Sequence, residues 1–84
     1  MTNSDLVTRF FRESEYGNCM STVDYVDGIR IFVKGVIIDV IEGRPKIFVS
    51  IADKDFTIYG DFNLADPECF EKIFDIIRTR TLPL

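Results

Sequence analysis

An α+β fold of order α-β-β-β-β-α is predicted for this chain, with an antiparallel four-stranded meander and two helices packed on one of its faces. Three observations predict it. Apolar residues recur at helical spacing near both ends of the sequence. The middle is a series of β-branched and aromatic runs. Turn-forming residues separate those runs at short intervals.

The first helix is expected over residues 4–16. Leu6, Val7, Phe10 and Phe11 share one face, and Arg9, Arg12, Glu13 and Glu15 take the other. Asn3 or Ser4 caps its start, Asp5 sits where the helix dipole favours a negative charge, and Gly17-Asn18 stops it. A strand over 22–26 follows, closed by Asp27-Gly28 as a type I′ hairpin turn. The second strand runs from Ile29 to Ile41, with Gly35 a bulge or bend inside it. Residues 42–45 turn the chain into a third strand over 46–52. A fourth, short strand over 56–59 is closed by Gly60. Asp66 as cap, Pro67 at the first helical position and Glu68 in the first turn open the last helix. Its apolar stripe is Phe70, Ile73, Phe74 and Ile77, widened by Ile76.

A chain of 84 residues makes one domain, 1–84, with 1–3 and 81–84 expected to be loose. It is 46% hydrophobic and 29% charged, the mixture of a folded globule. No apolar run approaches the roughly 20 residues needed to span a bilayer. "MTNSDLVTRFFRESEY" lacks the basic start and apolar stretch of a signal peptide, so a cytoplasmic location is expected. Cys19 and Cys69 are then read as free thiols, a disulfide between them being the alternative. Fourteen acidic residues against ten basic ones give a net charge of −4. That disfavours nucleic acid and anionic membranes and permits a basic protein as partner.

No residue pattern carries a chemistry. Histidine is absent, so no His-dependent triad or dyad forms and neither cysteine has a His to activate it. The glycines are scattered at turns and make no phosphate loop. Asp53 and Asp55 lack the further oxygens and the glycine of a calcium loop. No catalytic residue, cofactor or metal is expected.

The stretch "KGVIIDVIEGRPKIFVSI", residues 34–51, is apolar on both sides of the pleat, and two helices can cover only one face. The excess is buried by a curled sheet, by a second copy or by a different protein. Asp39 is either a charge that blunts edge-to-edge aggregation or a contact to a basic group on a partner or second subunit. The partner-binding residues expected are Asp39, Ile38 and Val40, with the acidic turn residues Asp27, Asp53, Asp55 and Asp61. The turn of Asp27 and the turn of Asp53 and Asp55 are expected at one end of the meander.

The function expected is that of a small acidic, non-enzymatic domain that occupies a surface of another protein. Inhibitors and accessory factors of the size phages and plasmids encode fit this description, of the anti-restriction, anti-CRISPR or immunity-protein kind. One alternative is a homodimeric assembly subunit that uses the 34–51 hairpin as its self-interface. Another is a single-strand nucleic-acid binder using Arg30, Lys34, Arg44, Lys46, Phe32 and Phe48 on one face of the sheet.

Overall fold

The computed structural model describes residues 2–52 and 57–79. They form α1 (Asn3–Arg12), β1 (Met20–Tyr25), β2 (Gly28–Val33), β3 (Val36–Ile41), β4 (Lys46–Ala52), β5 (Thr57–Asn63) and α2 (Cys69–Thr79). The strands make one antiparallel sheet in the order β1-β2-β3-β4-β5. The α+β class and the meander are as expected, but the sheet has five strands and not four.

The fifth strand comes from Lys34-Gly35. Lys34 has φ 49° and Gly35 φ 81°, the two positive values that a type I′ turn requires. The chain therefore reverses where one bent strand was expected, and Val33 pairs with Val36. This reversal also relocates apolar surface. Ile29, Ile31 and Val33 lie opposite Val40, Ile38 and Val36, so both sets face the same side. Much of what reads as a second apolar face along the sequence thus belongs to the first. Gly35→Ala puts a Cβ at a positive φ and is expected to cost about 1 kcal/mol, read as a lower urea midpoint at unchanged slope.

The first hairpin is where expected, but its turn is shifted. Tyr25 pairs with Gly28, so the two turn residues are Val26 and Asp27, neither with positive φ. Gly28 is the first residue of β2, and it is glycine because a Cβ there would run into the Val40 carbonyl. β5 does not end at Gly60; it continues to Asn63, which pairs with Lys46.

The core is a three-strand slab under two helices. Ile31, Ile38 and Val49 lie across from one another on β2, β3 and β4 and are fully buried. Val7 and Phe11 of α1 and Cys69, Ile73, Ile76 and Ile77 of α2 close over that face. The helices meet through aromatic rings. Phe10 stacks on Phe70 at 4.0 Å between centroids, and Phe11 stands edge-on to Phe74 at 5.3 Å. Cys69 is buried, Cys19 is exposed, and both are free thiols.

Both helices are shorter than expected. Thr2, and not Asn3 or Ser4, caps α1 through a capping box with Asp5, so Thr2 and Asn3 are tied into the fold. The helix ends at Arg12, where the Ser14 hydroxyl donates to the Phe11 carbonyl and accepts from the Tyr16 N–H, offering the backbone another partner. At the other end of the chain the Asp66 carboxylate accepts from the Glu68 N–H at 2.9 Å and from Lys72 at 2.8 Å. Regular helix begins only at Cys69.

The turn after β3 anchors α1. Glu42 accepts from the Ser4 N–H at 2.9 Å, and the Arg44 carbonyl accepts from the Asn3 amide at 3.1 Å. A carboxylate at a helix N-terminus is favoured by its dipole and its free N–H groups. Hydrogen bonding from Ser4 holds the Glu42 carboxyl below the ordinary glutamate value of 4.5. The folded state thus binds the Glu42 proton less tightly than the unfolded state. Its stabilisation is present above about pH 4.5 and is lost as pH falls through the lowered folded value. Glu42→Gln is therefore expected to melt below the wild type at pH 7, with the two curves converging in acid when followed by circular dichroism.

Candidate functional site

With both helices on one face, the other face of the sheet is left to strand side chains alone among the described residues. Its central row runs across all five strands: Val23, Arg30, Asp39, Phe48 and Asp61. A second row contains Ser21, Phe32, Ile37 and Ser50. Phe32, Ile37, Ile41 and Phe48 are half-buried, and Val23 and Tyr25 are 44% and 49% exposed. This is an apolar surface with charges set into it.

Arg30 and Asp39 occupy the middle. Being directly opposite on β2 and β3, they make a two-pronged ion pair, Nε to Oδ1 at 2.7 Å and Nη2 to Oδ2 at 3.3 Å. The Arg30 guanidinium also lies 5.6 Å from the Tyr25 ring centroid. Planar pairing to a carboxylate on one side and an aromatic ring on the other fixes the guanidinium flat over the sheet. Lys46 and Asp61 form the other ion pair on this face, at 3.3 Å. Both described cations of the face therefore carry a carboxylate.

Beside Arg30 and Asp39 the face sinks into an open groove of about 460 Å³. Tyr25, Asp27, Gly28, Ile41 and Phe48 are among the residues that line it. Gly28 comes close enough to β3 that a Cβ at this position would run into the Val40 carbonyl.

The expected site residues divide. Asp39 and Asp27 both line the groove, and Asp61 follows Phe48 in the central row. Ile38 and Val40 do not belong there: they are 0% and 1% exposed, beneath the helices. The reversal at Lys34-Gly35 puts them with the core, and their neighbours Ile37 and Ile41 take the outer face. The 34–51 hairpin therefore offers a partner only its Ile37, Ile41 and Phe48 side. Asp53 and Asp55 lie outside the described residues. The strands they join meet at the pair Ala52 and Thr57, at the Lys34-Gly35 end of the sheet, whereas Asp27 is at the opposite end. The basic contact for Asp39 is Arg30 of the same chain.

Tyr25 and Ile41 are the site residues that sequence reasoning did not single out. The alternation of β1, weak in hydrophobicity, gives Tyr25 no apolar stripe to belong to. Phe32, Phe48 and Arg30 were assigned together to one face, and the register agrees. Lys34, expected with them, instead sits with its Nζ 5.5 Å from the Tyr16 ring.

Among the described residues no group of three or more His, Cys, Asp or Glu is placed to hold a metal ion, and no helix is long and apolar enough to cross a membrane. Comparison with protein-family models, with curated proteins and with solved structures finds no match to this chain.

Proposed function

We propose that this chain is a small non-enzymatic binding domain that occupies a surface of another protein, and that it does so with the outer face of its sheet. The observation that carries the reading is the division of the sheet. One face is sealed by α1 and α2, and the other presents Tyr25, Phe32, Ile37, Ile41 and Phe48 with no helix over it among the described residues. Apolar side chains grouped on one uncovered face commonly mark a protein-binding surface. Tyr25 and Arg30 are also of the residue types that dominate interface energetics.

The net charge of −4, with Asp27 lining the groove and making no ion pair among the described residues, suits a partner whose surface is basic. An inhibitor or accessory factor of the anti-restriction, anti-CRISPR or immunity-protein kind is the most concrete form of this reading. Single-strand nucleic-acid binding is less well supported, because Arg30 and Lys46 are each paired to a carboxylate and are not free for phosphate.

The test is capture of a protein from lysate by immobilised wild type and by Phe48→Asp, with circular dichroism confirming that both are folded. One dominant protein, held at low salt and lost with Phe48→Asp, is the expected result. Equal capture by the variant, or nothing above background with the wild type at low salt, overturns it.

A further inference from the structure

We infer that the free edge of β1 is a self-association site, joining two copies of this chain into one continuous ten-stranded sheet. The inference concerns the sheet edge and is independent of the function proposed for the outer face. β1 is an end strand of the sheet; Ser21, Val23, Asp24 and Tyr25 are exposed and Met20 and Thr22 half-buried. It contains no proline and no lysine, the residues that usually blunt such an edge.

The hydrogen bonds settle which backbone groups are unpaired. The Glu42 N–H donates to the Asp27 carbonyl at 2.7 Å, which makes Gly28 and Ile41 a non-hydrogen-bonded pair. Gly28 therefore exchanges its bonds with Tyr25 on β1. By alternation Val23 and Ser21 also face β2, so the N–H and C=O groups of Met20, Thr22 and Asp24 point away from the sheet.

Two copies pair through these groups only in registers that match outward residues with outward residues. The antiparallel register with all three in use places Thr22 opposite its own copy and Met20 opposite the second copy's Asp24. This register is selected further by charge. α1 starts at the turn after β3, tied there by Glu42, and its C-terminal end lies toward Tyr16, whose ring meets Lys34 at the other end of the sheet. Met20, paired with Val33, is at that same end. Arg12 thus leaves α1 near Met20, and it lines one groove of about 380 Å³ together with Thr22 and Asp24. Among the described residues neither Arg12 nor Asp24 makes an ion pair. In the two-fold arrangement each Arg12 meets the second copy's Asp24, so both unpaired charges gain partners twice over. A parallel or shifted pairing does not achieve this.

A short edge without a large apolar seam gives weak association, with Kd on the order of 10 µM. Light scattering over a dilution series is expected to show mass rising from the 9.7 kDa chain toward twice that value. Thr22→Pro removes an outward N–H that no intrachain strand uses, and is expected to give monomer throughout. Arg12→Glu is expected to raise Kd about tenfold, and Arg12→Glu with Asp24→Arg to return it near the wild-type value. Should Thr22→Pro fail to fold, amide exchange of the wild type decides: the Thr22 and Asp24 amides become protected as concentration rises. A wild-type monomer up to about 1 mM, concentration-independent exchange at those amides, or a dimer dissolved by Phe48→Asp but not by Arg12→Glu overturns the inference.

Discussion

Ile38→Asp is expected to abolish folding, while Ile37→Asp, one residue away on the same strand, leaves a folded domain. Ile38 is at the centre of the core, between Ile31 and Val49, with no exposed surface. Truncation to alanine alone costs about 2–5 kcal/mol at such a site. A carboxylate adds a desolvation penalty of several kcal/mol, because no cation is among the core residues around it. The whole stability of a small domain is about 5–15 kcal/mol, and one of this length belongs at the low end. Ile37 faces the other way and is half-buried among Phe32 and Ser50. Asp there keeps its water and loses only part of an apolar contact, so a modest fall in melting temperature is expected. Circular dichroism melts of the two variants measure the difference. A cooperative melt of Ile38→Asp at the wild-type temperature would mean that the helices do not cover this face.

That contrast also marks what was legible in the sequence. The helix stripes were readable because Val7, Phe11, Ile73 and Ile77 repeat at a period that only a helix brings together. The alternation within β2, β3 and β4 was equally readable, down to the assignment of Arg30, Phe32 and Phe48 to one side. The turn at Lys34-Gly35 was not, because lysine carries no turn signal and glycine alone is consistent with a bulge. One missed reversal then had three consequences. It hid a strand, it moved Ile38 and Val40 from a supposed interface to the core, and it put the Ala52 and Thr57 pair at the opposite end of the sheet from Asp27. Asp27-Gly28 misled in the opposite sense. The pair is a strong I′ signal, yet here the glycine answers to the Val40 carbonyl and the turn lies one residue earlier. That close approach is a long-range contact that no local pattern encodes.

Phe11→Ala is expected to cost about 3–5 kcal/mol, far more than Phe10→Ala beside it. Phe11 is fully buried, edge-on to Phe74 at 5.3 Å and to Phe70 at 6.3 Å, and belongs to the cluster that joins both helices to the sheet. Phe10 stacks on Phe70 at 4.0 Å but is 41% exposed, so its ring has less water to regain. An aromatic pair is worth about 0.5–1.5 kcal/mol beyond area, and this sets the coupling expected between Phe11→Ala and Phe74→Ala in a double-mutant cycle. Urea denaturation of the four proteins measures it. Additive losses would mean that each ring is held by the sheet alone. Coupling would mean that α1 and α2 hold each other down, although 56 residues of chain lie between them. In that case the two ends of the sequence close the core jointly, and loosening either helix uncovers the Ile31, Ile38 and Val49 row. The outer face would then no longer be the only apolar side of the sheet open to solvent. Binding by Phe11→Ala should accordingly lose selectivity before it loses strength, because a second apolar surface is exposed while Tyr25, Arg30 and Phe48 remain in register.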